Sequence, residues 1–465
     1  EIGSGLVGSE MCIRDRNWDG KIHYITKTGQ FKIGLLPKVY DMCIEMGIKP
    51  KVVDMRQPLP KVSKVVTNIG KYELRPEQEK AVKSVINNRV GDTPFHIGVL
   101  DYTVNAGKTL IMSSLYLTYK KQLKTLLITN DSDWLNQARE EFKQYLPGED
   151  ITFVQGKVLN WSNFTIGMVQ SISRNMRFYQ KELSQIDMVL VDEADQGGSK
   201  QYQNVITRLF NTRIRIGLSG TIYMSKLAKD KVKNMNLECF FGKVIAEFKL
   251  KDSIKKGYST KTIVKMVPGK PWYGNWESDC ISYKEIYDDS ITENNTAWTM
   301  AYNRLRWNIN QGRYPALVVC KHIAHCENLY KFFKKKLGDA YNIAYVHVNT
   351  PSKLRQQIMR DFREGKIDIL VSTTIIARGK NFPKLRYLLN AASMDSQEKS
   401  IQFLGRLVRT DKSKKKVYLD DLHYPGPYLD RHGKHRKQYY QRQELKVILL
   451  DKLWKKHPNH SLIKS

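Results

Sequence analysis

A lysine loop is the first feature of this sequence suited to phosphate chemistry. The run Asp-Tyr-Thr-Val-Asn-Ala-Gly-Lys-Thr at 101–109 lies between an apolar strand-like stretch and an apolar helix-like one. In such a loop, backbone N–H groups face a β-phosphate, Lys108 reaches the β and γ oxygens, and the Thr109 hydroxyl can ligate Mg²⁺. The strict pattern has glycine five residues before Gly107, where Tyr102 stands. The motif is therefore incomplete, and alone it identifies no function.

Two adjacent carboxylates follow a second apolar run. Met188–Val191 predicts a buried strand that leads directly into Asp192 and Glu193. We expect Asp192 to hold Mg²⁺ and Glu193 to orient and deprotonate an attacking water molecule. The alternative is an ordinary acidic turn after a strand. Together with the lysine loop, the pair predicts hydrolysis of a nucleoside triphosphate.

Two arginines near the other end of the chain could supply complementary charge. Arg406 and Arg409 are three residues apart in a helix-like segment, so we expect their guanidinium groups on one helical face. Aimed at a γ-phosphate, they would neutralise the charge that develops in the transition state. The alternative is a surface arginine pair bound to nearby acids.

The elements that must position these residues alternate between apolar runs and helical patterns, which predicts an α/β fold with parallel sheets. Such sheets bind ligands at the carboxyl ends of their strands. One helical pattern carries Leu354, Ile358 and Phe362 at four-residue steps. The predicted strands form two series: Ile97–Leu100, Thr125–Thr129, Met188–Val191 and Ile214–Leu218, then Leu317–Cys320, Ile343–Val348, Ile369–Ser372, Tyr387–Asn390 and Val417–Leu419.

The two series predict two similar lobes with accessory segments around them. In the last segment, charged residues mixed with Tyr439 and Tyr440 suit backbone binding with base stacking, or a solvated helix face. The predicted segments are a non-native leader at 1–16, a small α+β domain at 17–65, an ATP-binding lobe at 70–250, a connecting segment at 251–298, a second lobe at 299–424 and a basic tail at 425–465.

Composition favours a polyanionic partner. Lysine and arginine number 77 against 46 acidic residues, a formal net charge of +31 over 465 residues. Nucleic acid fits this excess best, with a generally basic, solvated surface as the alternative. The sequence has no run of 18 or more apolar residues, and its six cysteines are too sparse for a disulfide framework. We therefore expect a cytoplasmic protein with no membrane partner.

A zinc site is the other chemistry that the sequence suggests. Cys320, His322, His325 and Cys326 are residue types that bind zinc. They span a predicted strand end and the start of a helix, where four ligands do not easily converge. We therefore disfavour zinc at this position.

The motifs, in their order from Glu73 to Arg409, resemble those of superfamily 2 helicases. Besides the lysine loop and the Asp-Glu-Ala-Asp run, the match includes Arg75-x-x-Gln78, Ser-Gly-Thr at 219–221, the run 371–383, and Gln402-x-x-Gly-Arg-x-x-Arg409. The resemblance implies two RecA-like motor lobes that close on ATP and Mg²⁺, with Arg406 and Arg409 as arginine fingers.

The same resemblance assigns further roles to residues of this chain. ATP binding is assigned to Arg75, Gln78, Asn105, Ala106, Gly107, Lys108, Thr109, Gly379 and Gln402. Coupling is assigned to Asp195, Ser219 and Thr221, and nucleic-acid contacts to Thr129, Gln170, Ser171, Lys321 and Thr373.

Several details favour DNA over RNA. Ser-Gly-Thr and a glutamine at the start of the last motif are typical of DNA-directed members, whereas RNA helicases of the DEAD-box type usually have Ser-Ala-Thr and His-Arg. The layout resembles the UvsW family of phage helicases, which anneal strands and remodel forks and recombination intermediates. This resemblance predicts a monomeric helicase or translocase acting on single-stranded, forked or branched DNA.

Three other functions stay open at this point. The chain could be an RNA helicase, the motor subunit of a restriction-type complex, or a nucleic-acid-binding scaffold without ATPase activity. The complete set Lys108, Asp192, Glu193, Arg406 and Arg409 argues against an inactive scaffold.

Overall fold

The chain divides into two compact units: the first ends at Phe248, and the second comprises the residues from Lys249 onward together with Val104–Ala106. The expected leader at 1–16, Thr221 and Gly379 lie outside the described residues. The computed structural model describes residues 22–119, 122–130, 132–158, 160–220, 222, 228–269, 282–377, 382–411, 414–426 and 428–450.

The first unit is built on a seven-stranded sheet whose described strand pairs are all parallel, in the order β11-β5-β10-β9-β6-β8-β7. Its elements are α1 (Leu36–Glu45), β1 (Asn68–Ile69), β2 (Tyr72–Glu73), α2 (Pro76–Ile86), β3 (Arg89–Val90), β4 (Thr93–Pro94), β5 (Ile97–Tyr102), α3 (Lys108–Thr118), β6 (Thr125–Thr129), α4 (Ser132–Tyr145), β7 (Ile151–Val154), β8 (Phe164–Met168), α5 (Val169–Arg174), α6 (Gln180–Ser184), β9 (Met188–Asp192), α7 (Lys200–Ile206), β10 (Ile214–Ser219), α8 (Ala228–Phe241) and β11 (Val244–Phe248).

The second unit holds another seven-stranded parallel sheet, in the order β14-β15-β13-β16-β17-β12-β18. Its elements are α9 (Leu250–Lys255), β12 (Lys261–Pro268), α10 (Tyr283–Tyr287), α11 (Asn295–Ile309), β13 (Ala316–Cys320), α12 (Ile323–Leu337), β14 (Ile343–Val346), α13 (Ser352–Glu364), β15 (Ile369–Thr373), β16 (Tyr387–Asn390), α14 (Gln397–Leu407), β17 (Lys416–His423), α15 (Leu429–Arg442) and β18 (Lys446–Leu449).

The predicted α/β fold with two RecA-like sheets is confirmed. Every residue of β5, β9 and β10 is buried, and apart from Arg215 of β10 and the polar residues near their carboxyl ends these strands are apolar. Among the described residues, no helix is both long enough and apolar enough to span a lipid bilayer.

The segment expected to form a small N-terminal domain packs directly on the first unit. Leu35 joins the core beneath the first sheet, and Leu36 and Tyr40 pack on a cluster around Phe95. Close backbone approach requires glycine at position 34, where a Cβ would lie 2.1 Å from the Glu238 carbonyl oxygen. In its described part, this segment is an extension of the first unit.

The predicted connecting segment and basic tail also differ from the structure. Segment 251–298 contains β12, which pairs with both β17 and β18 inside the second sheet. Segment 425–465 contains α15 and β18, so its described part also belongs to that unit. Both were missed because β12 carries Lys261 and Lys265 among its apolar residues, and β18 has only four residues.

A buried ion pair attaches α15 to the second sheet. The Arg436 guanidinium lies 2.9 Å from the Asp421 carboxylate, and both side chains are fully buried. The Tyr440 hydroxyl donates to the same carboxylate at 2.7 Å. Because Tyr439 and Tyr440 are 7% and 1% exposed, the expectation that they stack on bases is wrong.

Candidate functional site

The loop after β5 turns through two left-handed residues. Asn105 has φ 66° and Gly107 has φ 73°, a backbone region that asparagine and glycine tolerate best. Gly107 also lies close to α2, since a Cβ there would meet the Gln78 amide nitrogen and displace that side chain. Lys108 and Thr109 then open α3. The chain thus forms a tight loop leading into a helix N-terminus, which is an anion-binding arrangement.

Tyr102 explains the departure from the strict loop pattern. It is the last residue of β5 and is fully buried, and its hydroxyl donates to the Glu77 carbonyl at 2.8 Å. The Lys108 ammonium lies 3.4 Å from the Tyr102 carbonyl oxygen. Tyr102 therefore belongs to the sheet core and holds α2 in place, so the loop proper begins at Thr103.

Gln78 packs against the phosphate loop from the first turn of α2. Its Oε1 accepts a 2.8 Å hydrogen bond from the Arg75 backbone N–H, and its side chain is fully buried. Its amide nitrogen is the atom that a Cβ at position 107 would meet. The structure thus places Gln78 beside the loop, and base recognition by Arg75 and Gln78 stays a prediction.

The two carboxylates and the lysine loop lie at the same end of the sheet, where the parallel strands have their carboxyl ends. Asp192 ends β9 and is aligned with Leu218 of β10, which is aligned with Leu100 of β5. Two strand spacings separate β9 from β5, roughly 9–10 Å. Glu193 has left-handed φ 52° and ψ 49°, a conformation costly for a residue with a side chain and frequent at functional sites.

Ser219 connects the carboxylate turn to the next strand. Its hydroxyl donates to Oδ1 of Asp195 at 2.8 Å, and both residues are buried. Asp195 lies in the 3₁₀ turn Ala194–Gln196 that follows Glu193. Two of the three residues predicted to couple hydrolysis to nucleic-acid binding are thus in direct contact.

Sequence reasoning missed Tyr202, which lies on α7 behind the carboxylates. Burial raises its pKa well above the usual value, and the negative charges of Asp192, Glu193 and Asp195 raise it further. Its phenol therefore stays protonated next to the acidic turn. The only signal for this residue in the sequence is its place in a short helix-like segment that follows the acidic run.

Asn130, the residue after β6, contacts both the carboxylate turn and a predicted nucleic-acid contact. Its side-chain amide donates to Oε1 of Gln196, and its carbonyl accepts from the Gln170 amide at 3.3 Å. Thr129 is a buried strand residue, and the Ser171 hydroxyl accepts a 2.9 Å hydrogen bond from the Gly156 N–H. Contacts of Thr129, Gln170 and Ser171 with nucleic acid stay predictions.

The two arginines of the second unit do not share a helix. α14 contains Gln402 and Arg406 but ends at Leu407, so Arg409 lies beyond it and the expected common helical face is wrong. The Thr260 backbone N–H donates to the Val408 carbonyl at 2.8 Å, and its hydroxyl donates to that of Arg409 at 3.1 Å. The backbone that carries Arg409 is therefore held by Thr260.

Lys414 holds the end of α14. Its ammonium donates to the carbonyls of Leu407 and Leu385, each at 3.1 Å. Burial lowers the pKa of Lys414 to about 8. This lysine satisfies a carbonyl at the helix C-terminus, where a positive charge is favourable.

The predicted strand contacts of the second unit lie at strand ends. Thr373 is the last residue of β15, and Lys321 directly follows β13. The Lys321 ammonium lies 4.0 Å from the centre of the Tyr283 ring and 4.9 Å from that of Tyr287. Burial lowers its pKa. Lys321 is thus engaged by two aromatic rings, and its contact with nucleic acid stays a prediction.

The candidate zinc residues lie in the core. Cys320, Cys326 and His325 are buried, and burial lowers the pKa of His325 to about 3. Within the described ranges, no group of three or more histidine, cysteine, aspartate or glutamate side chains is placed to hold a metal ion.

Two oxygen donors of the first unit suit Mg²⁺. Thr109 lies in the first turn of α3 and Asp192 is the last residue of β9, and both are at the carboxyl end of the parallel strands. Magnesium prefers oxygen ligands and uses few protein groups when phosphates and water complete its coordination. The residues present therefore fit this ion.

Two family models match the chain. One describes the res subunit of type III restriction enzymes and matches residues 71–224, and the other, the helicase conserved C-terminal domain, matches residues 301–411. The two matches carry the lysine loop with its carboxylates and the arginine motif, respectively. The chain is a superfamily 2 helicase. This helicase therefore belongs to an ATP-hydrolysing class of enzymes.

Two curated relatives span most of this helicase. A protein named as a helicase in Sulfolobus islandicus filamentous virus is 22% identical over 91% of this chain and 80% of its own length. The ATP-dependent DNA helicase uvsW of Enterobacteria phage T4 is 21% identical over 87% of this chain and 82% of its own.

A solved structure shares the fold. A fragment described as an HsdR subunit of a type I restriction enzyme from Vibrio vulnificus is 16% identical and has a TM-score of 0.60. The match covers 88% of this helicase and 73% of the fragment. At this identity, the likeness concerns the fold alone.

Proposed function

We propose that this helicase is a DNA-directed motor that uses ATP hydrolysis to unwind, anneal or remodel single-stranded, forked or branched DNA. The observation that carries the proposal is the Ser219–Asp195 hydrogen bond beside Asp192 and Glu193. It connects the proposed hydrolytic residues to the end of the neighbouring strand. The relative named as an ATP-dependent DNA helicase supports DNA as the substrate.

In the proposed mechanism, the first unit binds and activates ATP. Backbone N–H groups of the loop at 103–107 and the Lys108 ammonium bind the phosphates, while Thr109 and Asp192 hold Mg²⁺. When bound, Mg²⁺ supplies positive charge that stabilises the phosphate oxygens. Glu193, which directly follows the end of β9, accepts a proton from the attacking water.

The second unit supplies the remaining charge. Arg406 and Arg409 neutralise charge that develops on the γ-phosphate, and Gln402 and Gly379 complete the ATP contacts. Thr373 and Lys321 bind the strand backbone together with Thr129, Gln170 and Ser171 of the first unit. ATP binding closes the lobes and hydrolysis reopens them, so a cycle of hydrolysis moves the protein along the strand.

Steady-state ATPase measurements with and without single-stranded DNA test this proposal. Lys108→Ala and Glu193→Gln are expected to lower turnover at least about a hundredfold, because they remove the phosphate cation and the proton acceptor. Lys143→Ala and Glu140→Gln are matched controls, since these two side chains form an exposed pair on α4. Wild-type turnover no higher than that of Lys108→Ala would disprove the motor.

The nucleic-acid substrate is tested separately. ATPase stimulation and unwinding are measured on forked DNA, branched DNA and RNA duplexes, with one strand labelled in each substrate. We expect the DNA substrates to give the greater stimulation. A clear preference for RNA would overturn the proposed substrate and leave the ATPase assignment standing. Sedimentation of the protein with and without forked DNA tests the proposed monomeric state.

A further inference from the structure

A half-exposed tryptophan surrounded by cations lies on the second unit. Trp307, on α11, is 43% exposed. The Lys265 ammonium lies 4.6 Å from its ring centre, and the guanidinium carbons of Arg304 and Arg313 lie 5.1 and 4.8 Å from it. Arg313 also lies 3.6 Å from the ring centre of Tyr418. We call Lys265, Trp307 and Arg313 the tryptophan cluster.

The cluster lies away from the helicase motifs of its unit. Arg313 precedes β13, whereas Lys321 follows that strand. Tyr418 is aligned with Tyr387, the first residue of β16. Arg313 and Tyr418 are therefore near the amino end of these parallel strands and Lys265 is level with their middle, while Lys321 and Thr373 lie at their carboxyl ends.

The positive charge of the cluster is only partly neutralised. Arg304 forms a 2.6 Å ion pair with the fully buried Asp420. Within the described part of the chain, Lys265 and Arg313 form no ion pair with a carboxylate, and the Arg313 guanidinium donates to the Asn308 amide oxygen at 2.8 Å. Burial lowers the pKa of Lys265, the charge of Asp420 raises it, and the charges of Arg304 and Arg313 lower it.

Packing alone does not account for this arrangement. A single cation over an exposed indole gains a modest cation–π stabilisation, whereas partly neutralised cations gathered beside the same ring repel one another. A negatively charged ligand would remove that repulsion. An aromatic surface next to paired cations matches a nucleic-acid strand, whose bases stack on aromatic rings and whose phosphates bind cations.

We propose that the tryptophan cluster is a second binding site for single-stranded DNA, in which a base packs on Trp307 and neighbouring phosphates contact Lys265 and Arg313. The inference rests on the proposed DNA-directed function and adds a site outside the helicase motifs. Its position away from the carboxyl ends of the strands makes it suited to hold a second strand or a second arm of a branched substrate.

The charge contribution is tested by fluorescence anisotropy with labelled oligothymidine of about 20 nucleotides, at salt concentrations from about 50 to 200 mM. The double variant Lys265→Gln/Arg313→Gln is expected to make the negative slope of log K against log salt shallower by about 1.4, which corresponds to two phosphate contacts at about 0.7 each. Lys331→Gln/Lys335→Gln, on exposed positions of α12, removes the same charge and should retain the wild-type slope.

The stacking contribution is tested with Trp307→Ala and Trp307→Phe. We expect Trp307→Ala to weaken binding about tenfold at constant salt, and Trp307→Phe to weaken it less because a ring is retained. Both should keep the wild-type ATPase rate without DNA. A measurement that needs no variant is photocrosslinking of 5-iodouracil oligonucleotide to the wild-type protein, followed by mass spectrometry, which is expected to label the Trp307 peptide.

The outcomes separate this site from the proposed function. One outcome would disprove the second site alone: DNA stimulates the wild-type ATPase, the cluster variants bind oligothymidine as tightly as wild type, and no crosslink is found at Trp307. The proposed motor function would then remain supported. If no DNA binds or stimulates the wild-type protein, the proposed function fails first. Cluster variants that weaken only RNA binding, or only binding of an acidic peptide, would also overturn the proposal.

Discussion

The Ser219 hydroxyl donates a 2.8 Å hydrogen bond to the buried carboxylate of Asp195, two residues after Glu193. This contact joins the end of β10 to the turn that carries the proposed proton acceptor. A displacement of either segment would therefore move the other. In a motor, such a contact can transmit strand binding to hydrolysis.

Ser219→Ala should separate ATP binding from DNA stimulation. The variant removes one donor from a buried carboxylate, which costs about 1–3 kcal/mol of stability. We expect the Kd for ATP to stay close to wild type while the DNA-stimulated turnover falls. Nucleotide titration and ATPase rates with DNA measure the two effects. Ser184→Ala, which loses only an exposed hydrogen bond, is the control, and equal behaviour of the two variants would contradict the coupling role.

Tyr102→Gly restores the glycine of the strict loop pattern but should damage the protein. Tyr102 is fully buried at the end of β5, so deletion of its ring is expected to cost about 3–5 kcal/mol. Tyr102→Phe loses only the hydrogen bond to the Glu77 carbonyl, worth about 1 kcal/mol. Urea unfolding measures both costs. A Tyr102→Gly variant as stable as wild type would show that the ring does not support the core.

Arg436→Met should destabilise the second unit strongly. Without the guanidinium, the Asp421 carboxylate keeps Tyr440 and Asn390 as donors but loses its buried positive partner, at a cost of about 3–5 kcal/mol. Adding Asp421→Asn should recover part of the lost stability, because it removes the unpaired buried charge. Thermal unfolding measures the stability of both variants. Lys434→Met, on the exposed side of α15, breaks only the pair with Asp430 and is expected to stay within about 0.5 kcal/mol of wild type.

His325 should make the protein less stable in mild acid. Burial lowers its folded-state pKa to about 3, with the charge of His322 adding to the effect, so the unfolded chain takes up the proton first as pH falls below about 6.5. Stability is therefore lost on acidification. Between pH 6.5 and 5 the loss amounts to about 2 kcal/mol.

His325→Gln removes this titration, so the difference in stability between wild type and variant should shift by about that amount over the same pH interval. Urea unfolding at several pH values measures the difference. A constant difference would mean that His325 takes up its proton equally in both states.

Sequence patterns predicted the parts of the fold that are buried on both faces. Thr125–Thr129 and Tyr387–Asn390 form strands with the predicted bounds, because a strand inside a parallel sheet needs an uninterrupted apolar run. β12 could not be recognised in this way, since Lys265 keeps its polar end near the protein surface beside Trp307. α15 was mistaken for a surface segment because the sequence does not reveal that Arg436 has a buried partner.

For the site, the resemblance to helicase motifs implied coupling roles for Ser219 and Asp195, and the structure brings their side chains into contact. Contacts between distant parts of the chain could not be inferred. Tyr102 bonds to Glu77, 25 residues earlier, and Asn130 bonds to Gln196, 66 residues later. Such pairings depend on how the strands are ordered in the sheet, which apolar periodicity does not specify.

The order of strands in the second sheet has a consequence for synthesis. β12 is translated long before β17 and β18, the two strands between which it lies. A nascent chain that has not reached Lys416 therefore carries an eight-residue strand with neither of its edges paired. Unpaired strand edges promote association between chains. Shortened chains that end before β17 will consequently aggregate on or after the ribosome, and the second unit will fold only once its last segments have been made.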